Sequence, residues 1–207
     1  MTRIAPLPRS KFGPSARLTD LVVRRLVGRH LDGVGIAARV PAILRASGGM
    51  ERAFMGRRAV SHRMLELVSV RAAMEIGCSF CLDMGSYLAQ EKSGATEDEI
   101  RGLSDHAGSG VFTPGEVAAF DLAVAMSATP PTVDDELWAR LSEHWSDEQL
   151  VELTAMIGWE NSRARLANAL GIQSHGLTAG GACAVATVHA TTTTPTSSVA
   201  AAPPALR

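Results

Sequence analysis

Two cysteines stand three residues apart, as Cys78-Ser79-Phe80-Cys81, and Glu66 lies twelve residues before the first of them. The glutamate interrupts an apolar run of Met64, Leu65, Leu67, Val68 and Val70. On a helical turn, a Cys-x-x-Cys pair puts both sulfurs on one face with Cβ atoms ~5–6 Å apart. At that separation a disulfide closes with little backbone movement. Gly77 separates the apolar run from the pair, so Cys78 falls at or just before a helix start, where unpaired N–H groups favour a thiolate. The helix dipole supplies ~0.3–1 kcal/mol of that preference. Lowering a free thiol from ~8.5 to ~7 takes about 2 kcal/mol. A second helper is therefore needed, either a base or a proton relay from Glu66. The chemistry indicated is thiol–disulfide exchange or peroxide reduction.

Each of these residues also has a plainer reading. The two thiols could pack as small hydrophobes. A zinc site is disfavoured, because zinc takes four ligands and the chain has no second Cys-x-x-Cys and no His-x-x-x-His; nothing calls for a metal or an organic cofactor. Glu66 could face solvent on an amphipathic helix. His62, four residues before it, shares its face and forms either a carboxylate–imidazole relay or a surface contact. Asp83 reads as an acid in the first turn of the cysteine helix. Arg71 and Glu75 read as an i,i+4 pair on the solvated side, and Cys183 carries no assignment.

The elements that must position these residues read as helices throughout. Residues 1–14 form an extended, proline-rich lead-in. Ala16 to His30 is helical, with Leu18, Leu21, Val22, Leu26 and Val27 as its apolar positions; Gly33 and Gly35 interrupt. A short helix over Val40 to Ala46 ends at Gly48-Gly49, and a further piece spans Met50 to Met55. The central pair covers Val60 to Ile76 and Cys78 to Lys92, closed by Gly94. Thr96 with Glu99, Thr113 with Pro114 and Glu116, and Ser146 with Gln149 are capping boxes for later helices. Thr132 with Asp135 opens another helix, which ends near His144. No segment alternates with period two for long enough to make a strand, so the fold class is all-α, a single helical domain over 15–176. Residues 177–207 are Ala, Thr, Ser, Gly and Pro with few exceptions, and cannot bury enough surface to offset their ordering entropy; a disordered tail is expected.

The totals limit the partners. With 207 residues, a net charge of −1 and 4% aromatic residues, the chain has neither the basic surface nor the stacking side chains of a nucleic-acid binder. No run approaches the ~18–20 apolar residues of a membrane span, and prolines occupy the place where a signal peptide needs an apolar stretch. The expected location is cytoplasmic, where a Cys-x-x-Cys pair serves redox or metal chemistry more often than structural stapling.

Glu66, eleven intervening residues, the cysteine pair, and a helix ending in the turn Gly94-Ala95-Thr96-Glu97-Asp98-Glu99 together resemble the alkylhydroperoxidase D / carboxymuconolactone decarboxylase family. The similarity runs from about Val40 to Gly176 and takes in Phe112 to Glu116, Glu160-Asn161 and Arg165. It implies an all-helical fold that oligomerises, as trimers or hexamers, and a peroxidase branch that reduces hydroperoxides with the help of a thiol or dithiol reductant. It further implies that Cys81 attacks peroxide, Cys78 resolves the sulfenic acid and Glu66 belongs to the proton relay. One position departs from that branch. The histidine expected four residues after the second cysteine is Gly85 here. Three consequences are open: His62 takes over the relay, a water bridges Glu66 to Cys81 through the space glycine leaves, or peroxidase activity is weak. The competing functions are a lactone decarboxylase, which needs no cysteine pair, and a non-catalytic helical oligomer.

Overall fold

A computed structural model of the chain describes residues 2–56 and 58–178. Within them the regular elements are all helical: α1 (Pro14–Val27), α2 (Asp32–Ala37), α3 (Pro41–Met55), α4 (His62–Ile76), α5 (Ser79–Ser93), α6 (Glu97–Gly102), α7 (Pro114–Ser127), α8 (Asp135–Ser142) and α9 (Asp147–Leu170). Single 3₁₀ turns occur at Arg9–Lys11 and Leu103–Asp105.

The middle of the fold is α4. Ser61 caps it by accepting the N–H of Met64, and Gly77 closes it at φ +69°, a left-handed conformation that glycine adopts without a Cβ penalty. Every residue from Met64 to Met74 is buried, on all sides of the helix, because α5, α7 and α9 pack around it. A helix surrounded in this way must be apolar all round or supply partners for its polar side chains. Its polar exceptions are Glu66, Ser69 and Arg71.

The Gly77 turn sends α5 back antiparallel to α4. His62 meets Ser93 at the open end of this hairpin, and Val70 meets Gly85 halfway along it. The later helices are fixed by their caps. Thr96 and Glu99, Thr113 and Glu116, and Ser146 and Gln149 each form a reciprocal capping box, as the sequence predicts. Arg63 of α4 then binds both Glu99 and Glu116, tying the starts of α6 and α7 to the central helix.

Several expectations are corrected. Gly48-Gly49 does not end a helix: α3 runs unbroken to Met55, since both glycines lie mid-helix where tertiary packing outweighs their poor propensity. Gly33 and Gly35 do not interrupt but belong to the short α2. Gly35 is needed there because a Cβ would come within 2.8 Å of Pro6 in the lead-in. Asp134, not Thr132, caps α8. Of the apolar positions read along α1, Leu18, Leu21 and Val22 are exposed, and it is Ala16, Asp20 and Val27 that face inward. Arg71 is not on a solvated side. It is 7% exposed and joins Glu75 to His106, whose other ring nitrogen reaches Asp121.

Asp83 is more than an acid at a helix start. It is buried, and its carboxylate accepts the N–H groups of His175, Leu177 and Thr178 and the Thr178 hydroxyl. Leu177 and Thr178, the first residues of the segment read as a disordered tail, are thus fastened to α5. The rest of that segment, 179–207 with Cys183, lies outside the described residues.

Burial works against the charged Asp83, but hydrogen bonds from Thr178, Ser174, His175 and Leu177 outweigh it and hold the carboxyl below the usual carboxylate range. A depressed folded-state pKa contributes stability that is present above the unfolded value of ~3.9 and is lost as pH falls through the folded value. Asp83→Asn is therefore expected to cost about 2 kcal/mol at pH 7, with the gap to wild type closing on acidification below about pH 4. Urea denaturation at pH 7 and pH 3.5 checks this.

Candidate active site

Cys78 is the N-cap of α5, in extended backbone conformation, and its Sγ accepts the N–H of Cys81 at 3.2 Å. The cap position is usually filled by an oxygen-bearing side chain; here sulfur takes that place, which draws negative charge toward it. Both cysteines are free thiols, Cys78 fully buried and Cys81 7% exposed. The Cys81 thiol also donates to Cys78. That hydrogen bond, offsetting the cost of burial and helped by the backbone N–H groups of Cys81 and Phe80, holds Cys78 below the ordinary thiol range. Cys81 is driven upward, first because its proton is held by Cys78, then by burial and by the negative charge of Glu160; Arg163 pulls it the other way. The contact between the sulfurs thus favours ionisation at Cys78 and keeps the proton on Cys81.

Glu66 does not face solvent. It is 6% exposed, its Oε1 lies 3.4 Å from His62 Nε2, and its Oε2 is buried without a partner. His62 is part-exposed, and its Nδ1 pairs with Ser93 Oγ at 3.1 Å. The hairpin register places both at a distance from the sulfurs. Val70 faces Gly85, so Met74 is level with Cys81, and eight residues of helix at 1.5 Å each set Glu66 about 12 Å back along the axis. His62 lies a further turn away.

At Gly85 the structure answers one of the open questions. An added Cβ there would lie 2.9 Å from Val70 Cγ2. The Val70 methyl thus occupies the point where a side chain would begin.

The side-chain charges that reach the sulfurs come from α9. Glu160, 1% exposed, accepts the Ser69 hydroxyl at 2.8 Å and binds Arg163. Arg163 also donates to Ser69 Oγ at 2.8 Å and to Glu51 Oε1 at 3.0 Å. Glu51 in turn accepts from Trp159 Nε1 at 2.8 Å. Burial works against the Arg163 charge, but Glu160 and Glu51, then Cys81 and Glu66, more than offset it and raise its pKa. Sequence reasoning took Glu160 only as part of a family pattern and missed Ser69, Arg163 and Glu51. The available signal was Glu160 and Arg163, three apart, on the apolar stripe of Ile157, Ala164 and Ala167.

Away from this site, a cleft of about 460 Å³ opens between α8 and α9 beside Trp138, Leu150 and Val151; it contains none of the residues above. Among the described residues no group of His, Cys, Asp and Glu is arranged to hold a metal ion, and no helix is long and apolar enough to cross a membrane.

A helical bundle with a dithiol at the start of its second core helix and a buried carboxylate–guanidinium pair on its last defines the class of protein. Comparison with known sequences agrees. The profile of the carboxymuconolactone decarboxylase family matches residues 41–125. YnjA, an uncharacterised protein of Escherichia coli (strain K12), is 35% identical over 174 residues, spanning 82% of this chain and 93% of its own. The chain belongs to the carboxymuconolactone decarboxylase family. Among solved structures, the debrominase Bmp8 is similar in fold at TM-score 0.79 and 20% identity, over 90% of this chain and 97% of its own. The alkylhydroperoxidase AhpD core of a peroxidase-related protein from Ralstonia eutropha JMP134 superposes at TM-score 0.75 and 17% identity, over 84% and 93%.

The contact between Gly85 and Val70 is testable. Gly85→Ala is expected to destabilise by ~1–3 kcal/mol through overpacking. Val70→Ala alone should cost ~1–2 kcal/mol through the cavity it leaves. The double variant should be more stable than the sum of the two predicts, since the new methyl occupies the vacated space. Additive losses in urea denaturation would contradict the contact.

Proposed function

We infer that the chain is a thiol-dependent oxidoreductase that reduces hydroperoxides with the Cys78–Cys81 pair. The observation that carries this reading is the place of the pair at the start of α5, where Cys78 is the N-cap and its Sγ accepts the Cys81 N–H at 3.2 Å, which favours a thiolate there. A buried structural pair has no use for such a bias; a redox pair does, since one sulfur must be a thiolate when the oxidant arrives.

Cys81, the more accessible sulfur, attacks and Cys78 resolves. In the first step the Cys81 proton passes to the Cys78 thiolate, and the Cys81 sulfur bonds to the terminal oxygen of the hydroperoxide. The O–O bond breaks, leaving Cys81 as a sulfenic acid and releasing an alkoxide. The proton held by Cys78 goes on to that alkoxide, giving the alcohol. The Cys78 thiolate then displaces hydroxide from the sulfenic acid, and the disulfide forms; the hydroxide takes a solvent proton. Two electrons have left the sulfurs and reduced the peroxide to alcohol and water. A thiol or dithiol reductant restores the pair by disulfide exchange. Glu66, paired with His62, acts at long range through its charge, which reaches Arg163.

The lyase reading leaves the paired sulfurs without a purpose. The non-catalytic reading rests on Gly85 alone. Self-association is proposed on a separate ground: Leu18, Leu21 and Val22 form an exposed apolar strip on α1, with Leu18 62% exposed. Light scattering of the full chain should give a trimer or hexamer, and Leu18→Glu should reduce its mass; a wild-type monomer at high concentration would contradict it.

To test the activity, the Cys183→Ser chain is reduced and given a sub-stoichiometric organic hydroperoxide. Thiol titration should show two thiols lost for each peroxide consumed. In Cys78→Ser, a sulfenic acid should persist on Cys81 and be trapped by dimedone. Retention of both thiols, with both still open to an alkylating agent, would overturn the reading in favour of a non-catalytic protein.

A further inference from the structure

The mechanism leaves one requirement unmet. The proton parked on Cys78 must leave before Cys78 can attack the sulfenic acid, and the alkoxide must gain one. The side chain expected to carry it is absent at position 85, and Glu66 stands about 12 Å back along α4 from the level of Cys81. Yet a second carboxylate is buried between α4 and α9. Its Oε2 is fully engaged, accepting from Ser69 and from Arg163. Its Oε1 is equally buried and has no partner. A buried carboxylate oxygen without a protein partner is costly, on the order of 1–3 kcal/mol, and calls for an explanation such as a catalytic role.

Building on the peroxidase reading, we propose that Glu160 is the proton carrier of the dithiol, that its Oε1 is the atom that takes the proton from Cys78 and delivers it to the leaving oxygen, and that Ser69 and Arg163 are positioning residues that hold it. In the transfer, the Cys78 S–H bond breaks as a Glu160 O–H bond forms. The alkoxide then takes that proton, and Glu160 returns to carboxylate with no net change. Glu160 is the nearer carboxylate by the same register: its partner Ser69 is five residues, about 8 Å, back from the level of Cys81, against about 12 Å for Glu66. It lies on the stripe of α9 that packs on both α4 and α5, flanked by Ile157 and Ala164 in the same core as Cys78 and Cys81. Its charge is felt at both sulfurs.

The groups that face it differ in what they contribute. Ser69 from α4 orients Oε2. Arg163 from α9 balances the charge and is itself tied to Glu51 of α3, with Glu66 on its other side. An arginine cannot move protons at neutral pH, because its pKa is far too high. It can only keep the carboxylate charged and in place. The duty of the missing imidazole is thus divided: Arg163 supplies the fixed positive charge, and Glu160 supplies the exchangeable site.

The test compares the reduced Cys183→Ser chain with its Glu160→Gln variant, which keeps the shape and the Ser69 contact. Two quantities are read: thiolate absorbance at 240 nm against pH, and the rate of disulfide closure with an organic hydroperoxide. Removing a negative charge should move thiolate formation to lower pH. Losing the carrier should nevertheless slow closure at pH 7 by ~10–100-fold. Closure that is unchanged, or that speeds up in step with the added thiolate, would overturn the proposal. If Glu160→Gln fails to fold, the double variant Glu160→Gln/Arg163→Met removes the buried charges together and is judged by the same closure rate. If the wild-type dithiol ignores hydroperoxide, the peroxidase reading fails by itself. The comparison is then made with oxidised glutathione, whose leaving thiolate needs a proton in the same way, and an equal closure rate in the variant would overturn the carrier role.

Discussion

The structure depends on α4 being buried on every side. A helix in that position cannot send its polar side chains to water, so each must be answered from a neighbouring element or left costly and unpaired. Glu66 is answered by His62 from its own preceding turn. Ser69 is answered by Glu160 and Arg163 of α9, and Arg71 by Glu75 and by His106 with Asp121 behind it. These three sets of contacts fix how α7, α9 and the α6–α7 connection sit on the core. They also determine which charges the dithiol at the far end of α4 can sense. The same constraint therefore organises the packing and sets the electrostatics of the site.

The exchange of a histidine for glycine at position 85 fits this picture. With no side chain there, α5 lies close on α4 and the Val70 methyl fills the contact. Position 85 offers no imidazole, and a buried carboxylate–guanidinium pair meets α4 from α9 at Ser69. The cysteines respond to this environment in opposite directions, because one sulfur is the hydrogen-bond acceptor of the other. At the opposite face of the same helix, Asp83 gathers the N–H groups of the segment that follows α9. Helix α5 thus carries both the cysteine pair and the anchor of the segment that follows α9 within its first two turns.

Much of the fold was legible in the sequence because its signals are local. Capping boxes at Thr96, Thr113 and Ser146, and the glycines closing α4, α5 and α9, are short-range patterns that tertiary packing had no reason to override. The glycines at 33, 35, 48 and 49 misled, since their meaning depends on what lies against them, such as Pro6 over Gly35. The cysteine pair and Glu66 were legible for the same local reason, through spacing and an out-of-place charge. The network of Ser69, Glu160, Arg163 and Glu51 was not. Its members come from three helices, and an isolated serine in α4 or an i,i+3 Glu–Arg pair in α9 looks like many solvated ones. Arg71 was misread on the same grounds: its partner Glu75 was visible, whereas the surrounding helices were not.

The central claim is that the contact between the sulfurs favours ionisation at Cys78 and keeps the proton on Cys81. Counting thiolates by absorbance at 240 nm in the reduced Cys183→Ser chain tests it most directly. The account predicts one equivalent appearing below the ordinary thiol range of ~8.5 and no second equivalent while the chain stays folded. Two equivalents rising together near that ordinary value would contradict it.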